Sequence, residues 1–454
     1  MHRTAIAVLV TLSVLTAPAC SRGGGTSGTR SKASIPLVAV DPASTDPTDR
    51  AIAAAQKRLA EVPTDPAPKK ALVGAFLQKA REQGNPSFYT KADGILAGLG
   101  GLGSPDAEVQ LLEGALLLAR HQFRAALQAG HGAVAGLPSA ASAYGIEVDA
   151  SNELGLYDDA LAATQKMVDL RPGLSSLSRV SYARELRGDL GGAIEAMSQA
   201  VTAGQGGATA VPGAERGIES GENVAYVETL LGNLLLIEGK VADASSAYET
   251  ALTQFPGFAA ARAGQAAVLL ARGKPADAGA LFEDIVKTQP LSQYVVGEGD
   301  AYEAAGMHDK AAAAFGLVDV ITRLYRANGV NVDVEEALYQ ADHHPSGSAV
   351  DAARRSVKDR GGVTGHDTLA WALYGVGKAK EAKVEIDRVT SLGDRDPLYR
   401  FHAAAIDFAV GDKAAAGTEL DIVLSGNPRF SPLYEPKIAD LASKLGRTMP
   451  PPAP

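Results

Sequence analysis

The chain has 454 residues, a formal net charge of −9, and 21% charged residues. Recognition of nucleic-acid phosphate needs clustered Lys and Arg. Here the basic residues occur only in short mixed runs such as ARRSVKDR, which argues against a nucleic-acid partner. The single cysteine, Cys20, excludes a disulfide framework, and a chain this long buries a core without one.

Residues 1–19 read as an export signal. Arg3 gives a short basic start, Thr4 to Leu15 form an apolar run too short to span a bilayer, and Ala17-Pro18-Ala19 precede Cys20. Two cleavages fit, both before Cys20: ordinary processing after Ala-x-Ala, or lipoprotein processing that makes Cys20 the lipidated N-terminus. The stretch resembles a bacterial lipobox, with Ala17 in the usual leucine place and Ala19 as the small neighbour. That resemblance implies lipidation at Cys20 and a membrane partner, the protein being exported to the outer face of a bacterial membrane; secretion is the alternative. Residues 20–48 are rich in Gly, Ser and then Pro, the composition of a flexible tether.

A period of 34 residues begins beyond the tether. A helix is expected from Asp49 to Leu59, ended by prolines at 63, 66 and 68. Ala92, Ala126 and Ala160 then lie 34 apart, as do Pro138 and Pro172, so residues 49–203 form a first array. Residues 204–223, GQGGATAVPGAERGIESGEN, read as an exposed loop. The second array, 224–430, contains the clearest copies. Gly239, Ala244, Tyr248, Ala251 and Pro256 precede Gly273, Ala278, Phe282, Ile285 and Pro290 by 34 residues each.

Within each copy apolar residues recur at helical spacing on either side of a glycine, which implies two helices. One hairpin cannot bury both faces, so copies must stack. A long helix is expected from the Gly306 unit to Asn328-Gly329, followed by a shorter, degenerate unit. Residues 431–454 read as a capping helix and a disordered tail.

Leu231-Gly232, Ala244-x3-Tyr248 and Pro256 match the tetratricopeptide repeat, which this plan resembles. The resemblance implies an all-α, right-handed superhelical solenoid of stacked hairpins. It also implies a concave groove lined by first helices, used for peptides or extended segments. Carried over residue by residue, that groove presents Asp149, Asn152, Arg179, Tyr182, Glu185, Tyr226, Asn233, Asp300 and Glu303. Toward the C-terminus it holds Trp371, Tyr374, Phe401 and Phe408, although the aromatic residues fit packing between hairpins equally. The stretch from about 225 to 436 also resembles a set of bacterial repeat proteins with RLYRANGVNVD, ALYQADH and a closing NPRFSPL, in which His402-Ala403 is the usual pair.

Catalytic motifs are missing. GLGGLG at 98–103 has the dinucleotide fingerprint but follows a helical element instead of a strand, so it reads as a loop. Asp342, His343 and His344 have metal-ligand types without metal-ligand spacing, and a helix C-terminus accounts for the histidines. No G-x-S-x-G, H-E-x-x-H or catalytic cysteine occurs. The expectation is a non-enzymatic scaffold for a protein or peptide partner at the cell envelope, with no cofactor and no metal. The alternative is a module for cell-wall glycan or exopolysaccharide.

Overall fold

The computed structural model describes residues 38–41, 43–206 and 220–454. The export signal, Cys20, most of the tether and most of the Gly-rich stretch lie outside the described residues. Among the described residues there are 22 α-helices, numbered in chain order, and no β-strand. Ten hairpins stack in a row. Their first helices are α2 (Pro66–Gln83), α4 (Ala107–Ala119), α6 (Ala141–Leu154), α8 (Leu174–Leu186), α10 (Gly221–Ile237), α12 (Ala259–Ala271), α14 (Ser292–Ala304), α16 (Asp333–His343), α18 (Val363–Gly375) and α20 (Pro397–Val410). Their second helices are α3 (Ser87–Ala97), α5 (Phe123–Gly136), α7 (Tyr157–Leu170), α9 (Leu190–Gly204), α11 (Val241–Gln254), α13 (Pro275–Thr288), α15 (His308–Ala327), α17 (Gly347–Asp359), α19 (Ala379–Thr390) and α21 (Lys413–Ser425). Single helices α1 (Pro47–Glu61) and α22 (Glu435–Lys444) flank the stack.

The register positions fill the space between hairpins. Ala244, Tyr248, Ala251 and Ala278 are 0% exposed, and Phe282 is 1%. A β-carbon on Gly232 or Gly264 would lie 2.5 or 2.3 Å from the Tyr248 ring, so glycines on two successive first helices make the slot that this ring occupies. Gly279 meets Tyr302, and Gly299 meets Phe315, in the same manner.

Most boundaries follow the sequence signals. Asp46 caps α1 through its carboxylate. Pro66, expected only to end the preceding helix, opens α2 at its first position, where no N–H is needed. The expected loop 204–223 is shorter at its far end, because Ser220 caps α10 and Gly221–Asn223 are already helical. The second half of GLGGLG, Gly101–Gly103, forms a 3-10 turn between α3 and α4. The tail, expected to be disordered, lies against α12: Ala453 N–H donates to the Ala271 carbonyl at 3.0 Å, and Arg272 donates to the Pro454 carbonyl.

That tail contact is the last of a series. The ends of α2, α4, α6, α8 and α10 each touch the segment that precedes the helix twelve further on, six hairpins along the chain. Glu82 and Gly84 at the end of α2 accept hydrogen bonds from Gln289 and Tyr325. Arg120 after α4 accepts from Asn331 N–H at 2.8 Å. Beside α6, Glu153 accepts from Gly362 N–H at 2.9 Å, and the Tyr157 hydroxyl accepts from Val363 N–H at 2.8 Å.

Glycines face each other along this seam. A β-carbon on Gly155, Gly188 or Gly239 would lie 2.6, 2.5 or 2.8 Å from the carbonyl oxygen of Gly361, Gly393 or Gly426. All three of the former have positive φ (78°, 76° and 82°), so one residue both ends a helix and lets the next turn approach. The superhelix therefore closes on itself after six hairpins, and its second turn lies against its first.

Arg360 bolts the seam between its glycine rungs. Its side chain is 4% exposed and donates to Glu153 of the first turn and, at 2.9 Å, to Glu335 on α16. The guanidinium also sits 5.5 Å above the Phe123 ring. Burial alone would raise the Glu335 carboxyl, but the Arg360 guanidinium, with His121 beside it, holds it below its ordinary range.

Candidate binding cavity

Closure turns the concave face into a cavity of about 1750 Å³. Its walls come from one register position of the repeat. Asp149, Tyr182, Asn233 and Ala267 stand six residues before the turn glycines 155, 188, 239 and 273, and all four line the cavity. Asn152 and Glu185, three before, line it too, together with Arg179 and Tyr226.

Their positions are fixed by neighbours. The Arg179 guanidinium grips Asp149 through both oxygens, Nε to Oδ1 at 2.9 Å and Nη2 to Oδ2 at 2.6 Å, and donates to Ser175 besides. The Tyr248 hydroxyl, buried behind the wall, donates to the Asn233 side-chain oxygen at 2.8 Å. Across the first turn, Gln78 of α2 donates to Glu222 of α10 at 3.0 Å. Leu112, Leu118, Leu234, Phe255 and Phe258 supply apolar wall between these groups.

The tetratricopeptide repeat family model matches residues 235–296, the stretch that contains α11 and α12. Residues 235–296 carry a tetratricopeptide repeat. No curated protein matches it in sequence. Solved structures similar to it include the human IFIT1 dimer with PPP-AAAA, at 13% identity and a TM-score of 0.45, covering 83% of this chain and 89% of that one. The APC/C hetero-tetramer Cut9–Hcn1 aligns at 13% identity and a TM-score of 0.44, covering 88% and 76%. A tetratricopeptide repeat protein from Parabacteroides merdae aligns at 16% and 0.32, covering 60% and 99%.

The same repeat position has a different fate in the second turn. Trp371 stands six before Gly377 as Asn233 stands before Gly239, yet it is 5% exposed and belongs to the core. Its ring stacks on His402 with centroids 3.9 Å apart and on Tyr374 at 4.9 Å, and its Nε1 donates to Asp342 at 2.8 Å. Phe401 packs in the same cluster, and Phe408 lies partly buried against it.

His402 is fully buried between Asp367 (2.9 Å from Nδ1) and the Tyr434 hydroxyl (3.0 Å from Nε2), and that hydroxyl also bonds Asp342. Tyr434 comes from the segment after α21, and Asp342 from α16, so this network closes across the axis of the second turn. Glu303 points to solvent and accepts from His308. The Asp342, His343 and His344 stretch serves this core, with the His343 ring packed between Phe315 and Tyr339. Among the described residues no group of three or more His, Cys, Asp or Glu is arranged to hold a metal ion.

Asp300, six before Gly306, lies beside that network, 3.3 Å from His343 Nε2. Burial pushes its carboxyl up to about 8; Asp342 adds to the shift and Lys437 opposes it. Burial likewise raises Glu228, bonded by Gln205, to about 7. In the folded state both groups keep protons that an unfolded carboxyl releases near pH 4. Stability from these groups is therefore full below about pH 4 and is lost as pH rises through 7 and 8. We expect the melting temperature to fall between pH 5.5 and 8.5, and Asp300→Asn to flatten that slope. An unchanged slope in the variant would remove Asp300 from the explanation.

Among the features that sequence reasoning missed are Arg360, the Gly–Gly rungs and the Gln78–Glu222 bridge. The rungs left one trace: the turn glycines have glycine partners six hairpins on. No single-repeat pattern makes that spacing meaningful.

Proposed function

We propose that the protein is an interaction scaffold that holds an extended segment of a protein partner inside this cavity. One observation carries the reading. Seven first-helix side chains expected to face a groove, Asp149 through Asn233, line a single cavity with apolar wall between them. Polar groups that fix orientation, set in apolar wall, are what a peptide backbone with alternating side chains requires. The glycan alternative draws less support, because Trp371 and Phe401, its stacking platforms, are occupied by core neighbours.

We further propose, from residues 1–20, that the scaffold is exported and anchored at the bacterial cell envelope through Cys20. Among the described residues no helix is long and apolar enough to cross a membrane. A photo-crosslinking amino acid placed at Tyr182 or Asn233 should capture a stoichiometric polypeptide in cells, whereas one at the exposed Val384 should not. Equal capture at all three would sink the cavity reading. Intact mass of the membrane-fraction protein should show a chain beginning at a lipidated Cys20, with the increment lost in Cys20→Ser.

A further inference from the structure

The cavity is closed at its side and at one end, so its shape restricts how a chain enters it. Sideways entry would have to separate the rungs at Gly155, Gly188 and Gly239 and the buried Arg360 pairs. Lining residues of the second turn, Val363, Asp394, Asp396, Tyr399 and Phe430, are all buried and form a floor. A recess of about 40 Å³ shares Tyr399 with that floor and Gln293, Glu335 and Thr364 with the cavity wall, and it reaches Asp367, the carboxylate that holds His402. Beyond it the Trp371, His402 and Tyr434 rings fill the axis.

Exposed lining residues gather at the other end. Ala51, Ala54, Arg58, Ala67, Ala71 and Glu108 lie on α1, α2 and α4, and among the described lining residues beyond 108 only Ser220 and Gln254 are exposed. Among the described residues the cavity is a blind well with its mouth at the N-terminal hairpins.

Charge decides which end of a chain such a well admits. Among the described residues eleven carboxylates line it against four Lys and Arg side chains. Those four cations are already engaged: Arg179 with Asp149, Lys70 with Asp106 and Glu108, Arg81 with Glu222, and Arg58 with Glu61 and Asp65. Two more, Lys79 and Arg360, reach lining carboxylates from behind the wall (Asp46 and Glu82, Glu153 and Glu335), and the lining still carries more acid than base. A carboxyl terminus led inward would meet a surplus of its own charge within a Debye length. An ammonium would meet the opposite.

Resting on the scaffold reading above, we propose that the well binds the free amino-terminal end of a polypeptide whose first residues alternate Lys or Arg with apolar side chains. The terminal ammonium enters first and travels toward the floor. The apolar side chains lie on the leucine and phenylalanine wall.

The test uses a fluorescent peptide of alternating lysine and leucine, with full-length protein and fluorescence anisotropy. The probe is offered with a free amino end, with a folded domain fused to its amino end, and with the same domain fused to its carboxyl end. An aspartate and leucine peptide is the charge control. The free and carboxyl-fused probes should bind alike, and the amino-fused and acidic probes at least about tenfold more weakly. Placing tryptophan at the rim, Ala67→Trp with Ala71→Trp, should weaken the free probe by a similar factor, with helicity by circular dichroism unchanged. Equal binding of the amino-fused probe would overturn end entry while leaving the scaffold reading intact. Equal binding of the acidic probe would overturn the charge argument. No binding of any probe would count against both this proposal and the scaffold reading beneath it.

Discussion

Replacing Arg360 with alanine should destabilise the protein by about 3–5 kcal/mol, because it leaves Glu153 and Glu335, each 12% exposed, without their cation. Urea unfolding at pH 7 measures the loss. The dependence on pH separates a lost ion pair from lost packing. In the native protein the depressed Glu335 carboxyl contributes stability above its unfolded value, and that contribution disappears as pH falls through the folded one. In the variant Glu335 keeps its burial but loses the Arg360 guanidinium that held it down, so its protonated form gains and the deficit should shrink as pH falls. A deficit that is the same at pH 5 and pH 7.5 would assign the effect to the packing of Arg360 on Phe123 instead. Replacing the whole group by apolar residues (Arg360→Met, Glu153→Leu, Glu335→Leu) should recover much of the loss.

Gly188→Ala should cost about 2–4 kcal/mol, the second large effect. Part is local: alanine at a φ of 76° is strained by about 1–2 kcal/mol. The rest comes from the new methyl at 2.5 Å from the Gly393 carbonyl, which must push the turns apart. Gly377→Ala isolates the first part, since φ there is 78° and nothing lies within 4 Å of the added carbon. The difference between the two variants measures the seam at that rung. Small-angle scattering should show a larger radius of gyration for Gly188→Ala and an unchanged one for Gly377→Ala. Equal costs and equal radii would mean that the rung contributes nothing.

What a reader of the sequence sees and misses follows from the range of each interaction. Ala244, Tyr248 and Gly232 are legible because their partners lie within one or two repeats, and a fixed period repeats the same contact. The inward register is legible for the same reason, and it places Asp149, Tyr182 and Asn233 on the cavity wall. Trp371 occupies that register too, but whether it meets open space depends on how tightly the stack curves. Curvature accumulates from small rotations between many hairpins, and no local pattern encodes the sum. The docking of Pro450 to Pro454 is hidden likewise, because its partner α12 is adjacent only once a full turn has been made. Residues 1–37, on which the envelope address rests, are a matter of sequence alone.

The seam also sets an order in time. Each hairpin is built from contacts near in sequence and forms quickly, whereas Arg360 and Glu153 are 207 residues apart and must close a long loop before they gain anything. Until the segment that holds Arg360 reaches it, the first turn cannot be sealed. During that interval the chain is an open trough, accessible along its length. Its wall is completed by the residues made last, so the protein begins life as a groove and becomes a vessel.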